Sequence, residues 1–222
     1  MTEERLQKII ARSGLCSRRE ADQMIADGRV TVDGQPATTG QKVDPANAHI
    51  KVDGKKLKPA QPLRHLLLYK PRAVMTTCDD PEGRKTVLDL VSGTVRERVY
   101  PVGRLDYHSE GLLILTNDGA LAEHIAHPRH GVVREYLAKI RGDLSETEYR
   151  KLMAGTVVDG VRVKPLSAKC DSKRRGGAST WWRNRFPALS RASPLAMSRT
   201  TGSGTGPTYS FATFPSTLTE RR

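Results

Sequence analysis

The stretch Gly103-Arg104-Leu105-Asp106-Tyr107-His108-Ser109-Glu110-Gly111 runs directly into the apolar segment Leu112-Leu113-Ile114-Leu115-Thr116. A charged loop bracketed by glycines therefore opens into a run that has the length of a β-strand. Such a loop holds the Asp106 carboxylate at the end of a strand, with the cation of Arg104 two residues before it. This arrangement favours chemistry on a bound ligand over packing, because functional side chains collect on loops that a rigid scaffold positions.

Short strands and helices alternate irregularly on both sides of this loop. We predict strands over residues 66–69, 99–102, 112–115, 136–140 and 161–163. Helices are predicted over 87–91, over 120–126 and after Ser145, where Ser145-Glu146-Thr147-Glu148 forms a capping box. The irregular order favours an α+β fold with a mixed, mostly antiparallel sheet over a doubly wound parallel sheet.

Residues 1–60 predict a small helix–helix–strand domain of their own. Leu6, Ile9 and Ile10 give the first helix one apolar face, and Gly14 ends it. The sequence Ser17-Arg18-Arg19-Glu20 is a capping box that starts a second helix. Two short strands, over 30–32 and 50–52, each run into an Asp-Gly turn.

A short linker at 59–63 separates this domain from a second one over residues 61–183. Beyond it, 13 of the 39 residues from 184 to 222 are Ser or Thr, and no period of 2 or 3.6 is sustained. This composition predicts a low-complexity basic tail that is disordered, or the translation of a frame-shifted gene end.

Composition limits the partners and the compartment. The net charge of +13 favours a polyanionic partner. No apolar run approaches the roughly 20 residues that span a bilayer, and the N-terminus does not have the pattern of a secretory signal. The three cysteines are far apart and form no disulfide framework or metal-ligand pair, so we expect a cytoplasmic protein without membrane contact.

Motifs in the first domain resemble a known RNA-binding fold. Arg5-Leu6-x-Lys8, Ser13-Gly14, Ser17-Arg18-Arg19-Glu20-Ala21 and Gly28-Arg29-Val30-Thr31-Val32-Asp33-Gly34 resemble the domain first described in ribosomal small-subunit protein four. The resemblance implies that the two helices bind the backbone of structured RNA through Arg5, Lys8, Ser17, Arg18, Arg19 and Arg29. Read from the residues alone, the same cations are also compatible with a solvated basic face.

The residues of the loop leave several roles open for Asp106. Asp106 and Glu110 are compatible with two turn carboxylates or with the acid–base pair of a glycosidase. Arg104 is compatible with a structural salt bridge to Asp106, or with a cation that keeps Asp106 ionised as a nucleophile.

A second resemblance narrows these roles. Lys70-Pro71, Gly103-Arg104-Leu105-Asp106, Glu110-Gly111-Leu112-Leu113, Thr116-Asn117-Asp118-Gly119 and Arg134-Glu135-Tyr136 resemble the pseudouridine synthases that modify ribosomal RNA. The branch that contains ribosomal small-subunit synthase A and large-subunit synthase B has the same order of domains. The resemblance implies that Asp106 is catalytic, that Tyr136 packs on the target base, and that Arg104 binds RNA or places the flipped base.

The same resemblance assigns Lys70 to a structural motif and implies action on ribosomal RNA with neither a metal nor an organic cofactor. We expect a monomer, although no feature of the sequence fixes the oligomeric state. A metal site at His124, His127 and His130 is not expected either, because Pro128 breaks the helix between them.

The resemblance fails near residue 184. Family members continue with a strand, a Gly-Arg-Asn-Arg-type segment and a basic helix that supplies a cationic partner for the catalytic aspartate. Arg183-Asn184-Arg185 is too short to count as that segment, so the resemblance implies a second domain that is incomplete at its C-terminus. An RNA-binding or ribosome-assembly protein that has lost catalysis is therefore the alternative, and a nucleoside glycosidase that uses Asp106 and Glu110 is the third.

Overall fold

The structure, a computed structural model, describes residues 3–139, 145–158, 161–171 and 179–184. The helices are α1 (Leu6–Arg12), α2 (Arg18–Ala26), α3 (Gly119–Ala126) and α4 (Glu146–Ala154), with a 3-10 turn at Pro128–His130. The strands up to residue 70 are β1 (Glu4–Arg5), β2 (Val30–Val32), β3 (Gln35–Pro36), β4 (Lys42–Val43), β5 (Ile50–Val52), β6 (Lys55–Lys56) and β7 (His65–Lys70). The later strands are β8 (Tyr100–Val102), β9 (Gly111–Thr116), β10 (Arg134–Lys139), β11 (Thr156–Val158), β12 (Val161–Val163), β13 (Ser167–Asp171) and β14 (Ser179–Asn184).

The contacts divide the chain into two compact units. The first contains residues 1–67, 77–101 and 114–119, and the second contains 68–76, 102–113 and the residues from 120 onward.

The N-terminal part of the first unit is built around an apolar core. Eleven buried residues from α1, α2 and the strands form it: Leu6, Ile10, Cys16, Ala21, Ile25, Val30, Val32, Ala37, Val43, Ile50 and Val52. Strands β3, β2, β5 and β6 lie in that order in one sheet, and Val32 pairs antiparallel with Ile50. Alternate residues of β2 and β5 are buried, as the period of a strand requires.

Local signals of the sequence are confirmed in this region. The Ser17 hydroxyl accepts a hydrogen bond from the Glu20 amide at 3.2 Å, and the Glu20 carboxylate accepts one from the Ser17 amide at 2.6 Å. Both Asp-Gly turns have left-handed backbones, with φ of 52° at Asp33 and 49° at Asp53. These are the angles of the turn type that Asp-Gly favours between paired strands.

The helix predicted over residues 87–91 is wrong, because those residues form turns. Thr86 and Asp89 make the reciprocal bonds of a helix start: the Thr86 amide donates to Asp89 at 2.7 Å. The next backbone bonds span three residues, from the Val91 amide to Leu88 and from the Thr94 amide to Val91. Gly93 follows with φ of 150°, which is not a helical angle, so no helix continues through it.

The strands around the motif loop confirm the α+β prediction. Strand β9 lies between β7 and β8 in a three-stranded sheet, and β14 lies between β10 and β13 in another. Strand β14 pairs antiparallel with both neighbours, with Tyr136 opposite Trp182 in the register. Strand β14 is not among the strands predicted from the sequence.

Two sequence predictions fall on residues that lie outside the described part of the chain. They are the last residue of the strand predicted over 136–140 and the predicted low-complexity tail beyond Asn184. Within the described part, no helix is long and apolar enough to cross a membrane.

Candidate active site and RNA-binding surface

The motif loop joins β8 to β9 and is bracketed by two glycines in left-handed conformations. Gly103 has φ of 81° and Gly111 has φ of 150°, angles that side-chain-bearing residues rarely adopt. Between them, Asp106 is half-buried, whereas Arg104 and Glu110 are exposed. The glycines thus let the loop leave one strand and re-enter the next within nine residues.

Every backbone carbonyl from Leu105 to Ser109 accepts a hydrogen bond from the segment Lys70–Thr76, which we call the brace. The Thr76 hydroxyl donates to Leu105 at 2.6 Å, and the Ala73 amide donates to Tyr107 at 2.7 Å. Arg72 Nε donates to His108 at 3.0 Å. Lys70 Nζ donates to Asp106 at 2.9 Å and to Ser109 at 2.8 Å. Five successive carbonyls are therefore fixed by one neighbouring segment.

Lys70 is the centre of the brace. It is fully buried, with 0% exposure, and its third donor reaches the Pro71 carbonyl at 3.1 Å. Three carbonyls thus use all three donors of the ammonium group. Burial lowers the pKa of Lys70, and the negative charge of Asp106 opposes that shift.

The Asp106 carboxylate differs from the Asp106 carbonyl in its hydrogen bonds. Within the described residues, the Asp106 carboxylate has no hydrogen bond and no ion pair. Its charge acts on Tyr136 of β10, where burial raises the pKa of the phenol and Asp106 raises it further. The structure therefore brings Asp106 and Tyr136 within electrostatic range of each other, with Tyr136 38% exposed.

Arg104 and Arg134 occupy different positions relative to this pair. Arg104 is exposed and forms no ion pair with Asp106 in the described structure. Arg134, two residues before Tyr136 on the same face of β10, lowers the pKa of that phenol. Its Nη2 also donates to the Ile125 carbonyl at 3.1 Å, which ties β10 to the end of α3.

Three of the cations predicted to bind RNA line one open cleft in the N-terminal region. Arg5, Lys8 and Arg18 line it, and the rest of the lining is one further cation, three carboxylates and one amide: Lys42, Glu3, Glu4, Asp22 and Gln7. Lys8 also pairs with Glu4 at 3.1 Å, and Arg12 pairs with the same carboxylate. Arg19 is exposed beside Arg18 in the first turn of α2.

The remaining two residues predicted for this surface have protein partners. Arg29 forms a bidentate pair with Asp53, with distances of 2.8 and 2.7 Å. Ser17 caps α2 and, with its amide, holds the pKa of Glu20 below its usual value. Their roles in RNA binding remain predictions.

The three histidines cluster at the end of α3. The ring centroids of His124 and His130 are 4.3 Å apart. His130 Nε2 accepts a hydrogen bond from Arg129 Nε at 3.0 Å, and His127 Nδ1 accepts one from the Arg129 amide. Among the described residues, no group of three His, Cys, Asp or Glu side chains is placed to hold a metal ion.

Sequence reasoning missed Arg72, Ala73 and Thr76 as members of the brace. A signal for Lys70 was present, because Lys70 is in phase with the less exposed Leu66 and Leu68 on alternating strand β7. For the other three residues the decisive contacts are made to backbone atoms far away in the chain, and no side-chain pattern records such contacts.

Comparisons with known proteins define the class. A family model described as RNA pseudouridylate synthase matches residues 64–202, and an S4 domain model matches residues 4–48. The first model covers more than half of the chain, and the chain therefore belongs to the RNA pseudouridylate synthase family.

Several curated relatives are similar over most of this chain. Ribosomal large subunit pseudouridine synthase B of Bacillus subtilis is 41% identical over 167 residues, which are 75% of this chain and 67% of the relative. The protein of the same name from Vibrio cholerae is 41% identical over 160 residues, 70% of this chain and 50% of the relative. An uncharacterized RNA pseudouridine synthase of Aquifex aeolicus is 42% identical and is covered over 66% of its length. The chain thus spans about two thirds or less of the length of these relatives.

A solved pseudouridylate synthase structure has a TM-score of 0.50 and 22% identity, and the match covers 82% of this chain and 76% of that chain. At this identity the likeness supports the fold alone. It agrees with the α+β architecture predicted from the sequence.

Proposed function

We propose that this chain isomerises a uridine of large-subunit ribosomal RNA to pseudouridine in the cytoplasm, with Asp106 as the catalytic carboxylate. One observation carries the proposal: the loop backbone is held at five carbonyls, yet the Asp106 carboxylate has no protein partner in the described structure. A fixed carboxylate without an internal partner is suited to react with a bound ligand.

In this proposal the target uridine leaves its stack and enters beside Asp106. Asp106 attacks the ribose C1′ or the base, the N-glycosidic bond breaks, and the uracil turns while it is held. A bond from C5 to C1′ then forms, the bond to Asp106 breaks, C5 loses its proton and N1 gains one, so that base and ribose remain in one product. Tyr136 stacks on the everted base, which contributes about 1–3 kcal/mol at comparable sites.

The N-terminal cleft supplies the affinity for RNA. Arg5, Lys8 and Arg18 line it, and Arg19 lies beside it. Each phosphate that these cations neutralise releases counterions, so the affinity falls steeply as salt is added.

The experiment is a product analysis with the full chain and an unmodified large-subunit ribosomal RNA transcript. We expect pseudouridine, and no free uracil. Free uracil would identify the glycosidase alternative, and in that case Glu110→Gln would abolish the reaction. For a synthase, Glu110→Gln has a mild effect, because Glu110 is an exposed loop residue.

A second candidate function is RNA binding without catalysis. It is favoured by one feature of the sequence: Arg183-Asn184-Arg185 is too short to be the segment that, by the family resemblance, precedes the cationic partner of the catalytic aspartate. Tight, salt-dependent RNA binding with neither pseudouridine nor uracil formed would establish this candidate.

A further inference from the structure

The arginines of the described chain divide by the kind of partner they have. Seven form ion pairs with carboxylates: Arg12, Arg29, Arg64, Arg84, Arg98, Arg129 and Arg150. Arg72 belongs to a smaller group, because its hydrogen-bond partner in the described structure is a neutral backbone carbonyl. Its positive charge therefore lies beside the motif loop without a protein carboxylate to neutralise it.

The contact of Arg72 fixes the direction of its guanidinium. Nε donates to the His108 carbonyl at 3.0 Å, two residues beyond Asp106, while the side chain as a whole is exposed. The guanidinium is planar and its five donors have fixed directions, so one held Nε also holds the two terminal nitrogens. In the described structure those terminal nitrogens have no protein partner.

We propose that Arg72 binds a backbone phosphate of the RNA beside the nucleotide that enters at Asp106, while its Nε holds the loop. This inference rests on the proposed function. A guanidinium pre-oriented by one bond presents two parallel donors, which match two oxygens of a phosphate. Because the same side chain also bonds the His108 carbonyl, a phosphate bound by Arg72 helps to hold the loop that carries Asp106.

Three substitutions separate the two roles of Arg72. In Arg72→Gln, Nε2 is as many bonds from Cα as the arginine Nε, so the bond to His108 is kept and the charged fork is lost. Arg72→Met removes both. Arg72→Lys keeps the charge but not the planar fork. Arg150→Gln, which removes one exposed arginine from α4, is the matched control for net charge.

The first measurement is the salt dependence of binding to an unmodified large-subunit ribosomal RNA transcript, made with the full chain in an Asp106→Asn background so that no RNA is converted. We expect Arg72→Gln and Arg72→Met to reduce the slope of log affinity against log salt by about 1, the value for one phosphate contact. Arg72→Lys should retain most of the slope, and Arg150→Gln all of it. An unchanged slope in Arg72→Gln overturns the proposal.

The second measurement is the single-turnover rate at saturating RNA, with Asp106 intact. We expect Arg72→Met to react about tenfold more slowly than the wild-type chain, because it releases the loop, and Arg72→Gln to lose less of the rate, because it keeps the bond to His108. Equal rate losses in both variants, with the salt slope intact, would leave Arg72 a purely structural residue. Should the wild-type chain form no pseudouridine, the proposed function fails, and the salt slope still decides whether Arg72 contacts RNA.

Discussion

The N-terminal region and the motif loop are positioned by different forces. Eleven buried apolar residues hold the two N-terminal helices against a small sheet. The loop around Asp106 is instead held by polar bonds from the brace to five carbonyls. Burial of apolar surface has no preferred direction, whereas each hydrogen bond has a preferred length and angle. The directional contacts lie where the proposed chemistry needs a fixed carboxylate.

The largest effect should come from Lys70→Met, which removes the side chain at the centre of the brace. It removes the ammonium group that donates to three carbonyls from a buried position, and we expect the free energy of unfolding to fall by roughly 4 kcal/mol. Urea unfolding measures this loss. Lys51→Met, at an exposed lysine of β5, is the control and should change stability by about 0.5 kcal/mol or less.

Should Lys70→Met fail to fold, Thr76→Val tests the same claim at one hydroxyl. This hydroxyl donates to the Leu105 carbonyl and accepts from the Leu105 amide, and its loss should cost about 1 kcal/mol. A brace variant that unfolds at the wild-type urea midpoint would contradict the role given to these bonds.

Ile10→Ala tests the N-terminal apolar core. Ile10 is fully buried in the N-terminal core, and its truncation should lower the free energy of unfolding by about 3 kcal/mol. Ile10 makes none of the bonds that hold the motif loop. The rate of uridine conversion at saturating RNA should therefore stay at the wild-type value. A reduced rate in the folded variant would show that the core also positions the loop.

A smaller effect is expected at the two capping boxes, one in each unit. Ser17→Ala and Ser145→Ala each remove a hydroxyl that accepts from the amide three residues on. Each should cost about 1 kcal/mol in urea unfolding. A loss in only one of the two variants would show that the corresponding helices do not depend equally on their caps.

The first box also predicts a pH dependence. Hydrogen bonds from the Ser17 amide and hydroxyl lower the pKa of Glu20 from its ordinary value of 4.5. A lowered carboxyl pKa in the folded state means that this stabilisation is complete above pH 4.5 and is lost as the pH falls through the lower, folded value. Wild-type protein should therefore lose more stability than Glu20→Gln between pH 6 and pH 3; equal losses would contradict the assignment.

The smallest effect is a gain in stability at Ala73. This residue has φ of 61°, a left-handed conformation that costs an alanine energy, and its amide holds the Tyr107 carbonyl at 2.7 Å. Ala73→Gly relieves that cost but adds freedom to the unfolded chain, so we expect a net gain of about 0.5 kcal/mol. Gly103→Ala, the reverse change at φ of 81°, should destabilise the protein. Thermal unfolding of both variants measures these two changes.

The same contrast explains how much could be predicted from the sequence. Strands over 30–32 and 50–52, the capping boxes and the Asp-Gly turns were predictable because each is coded by neighbours within a few residues. The helix predicted over 87–91 does not form, although Thr86 and Asp89 make the bonds of a helix start. The backbone bonds that follow span three residues and form turns. The loop was recognised from its charges and glycines, but the brace was not, since its donors and carbonyls are far apart in the chain.

The most direct test of the account compares wild-type protein with Asp106→Asn, which keeps the shape of the side chain and removes its charge. Both proteins are assayed for pseudouridine formation in unmodified large-subunit ribosomal RNA, and both are measured for RNA affinity at one salt concentration. We predict equal affinity and no pseudouridine from Asp106→Asn. Conversion by Asp106→Asn at the wild-type rate would contradict the assignment of the chemistry to this carboxylate.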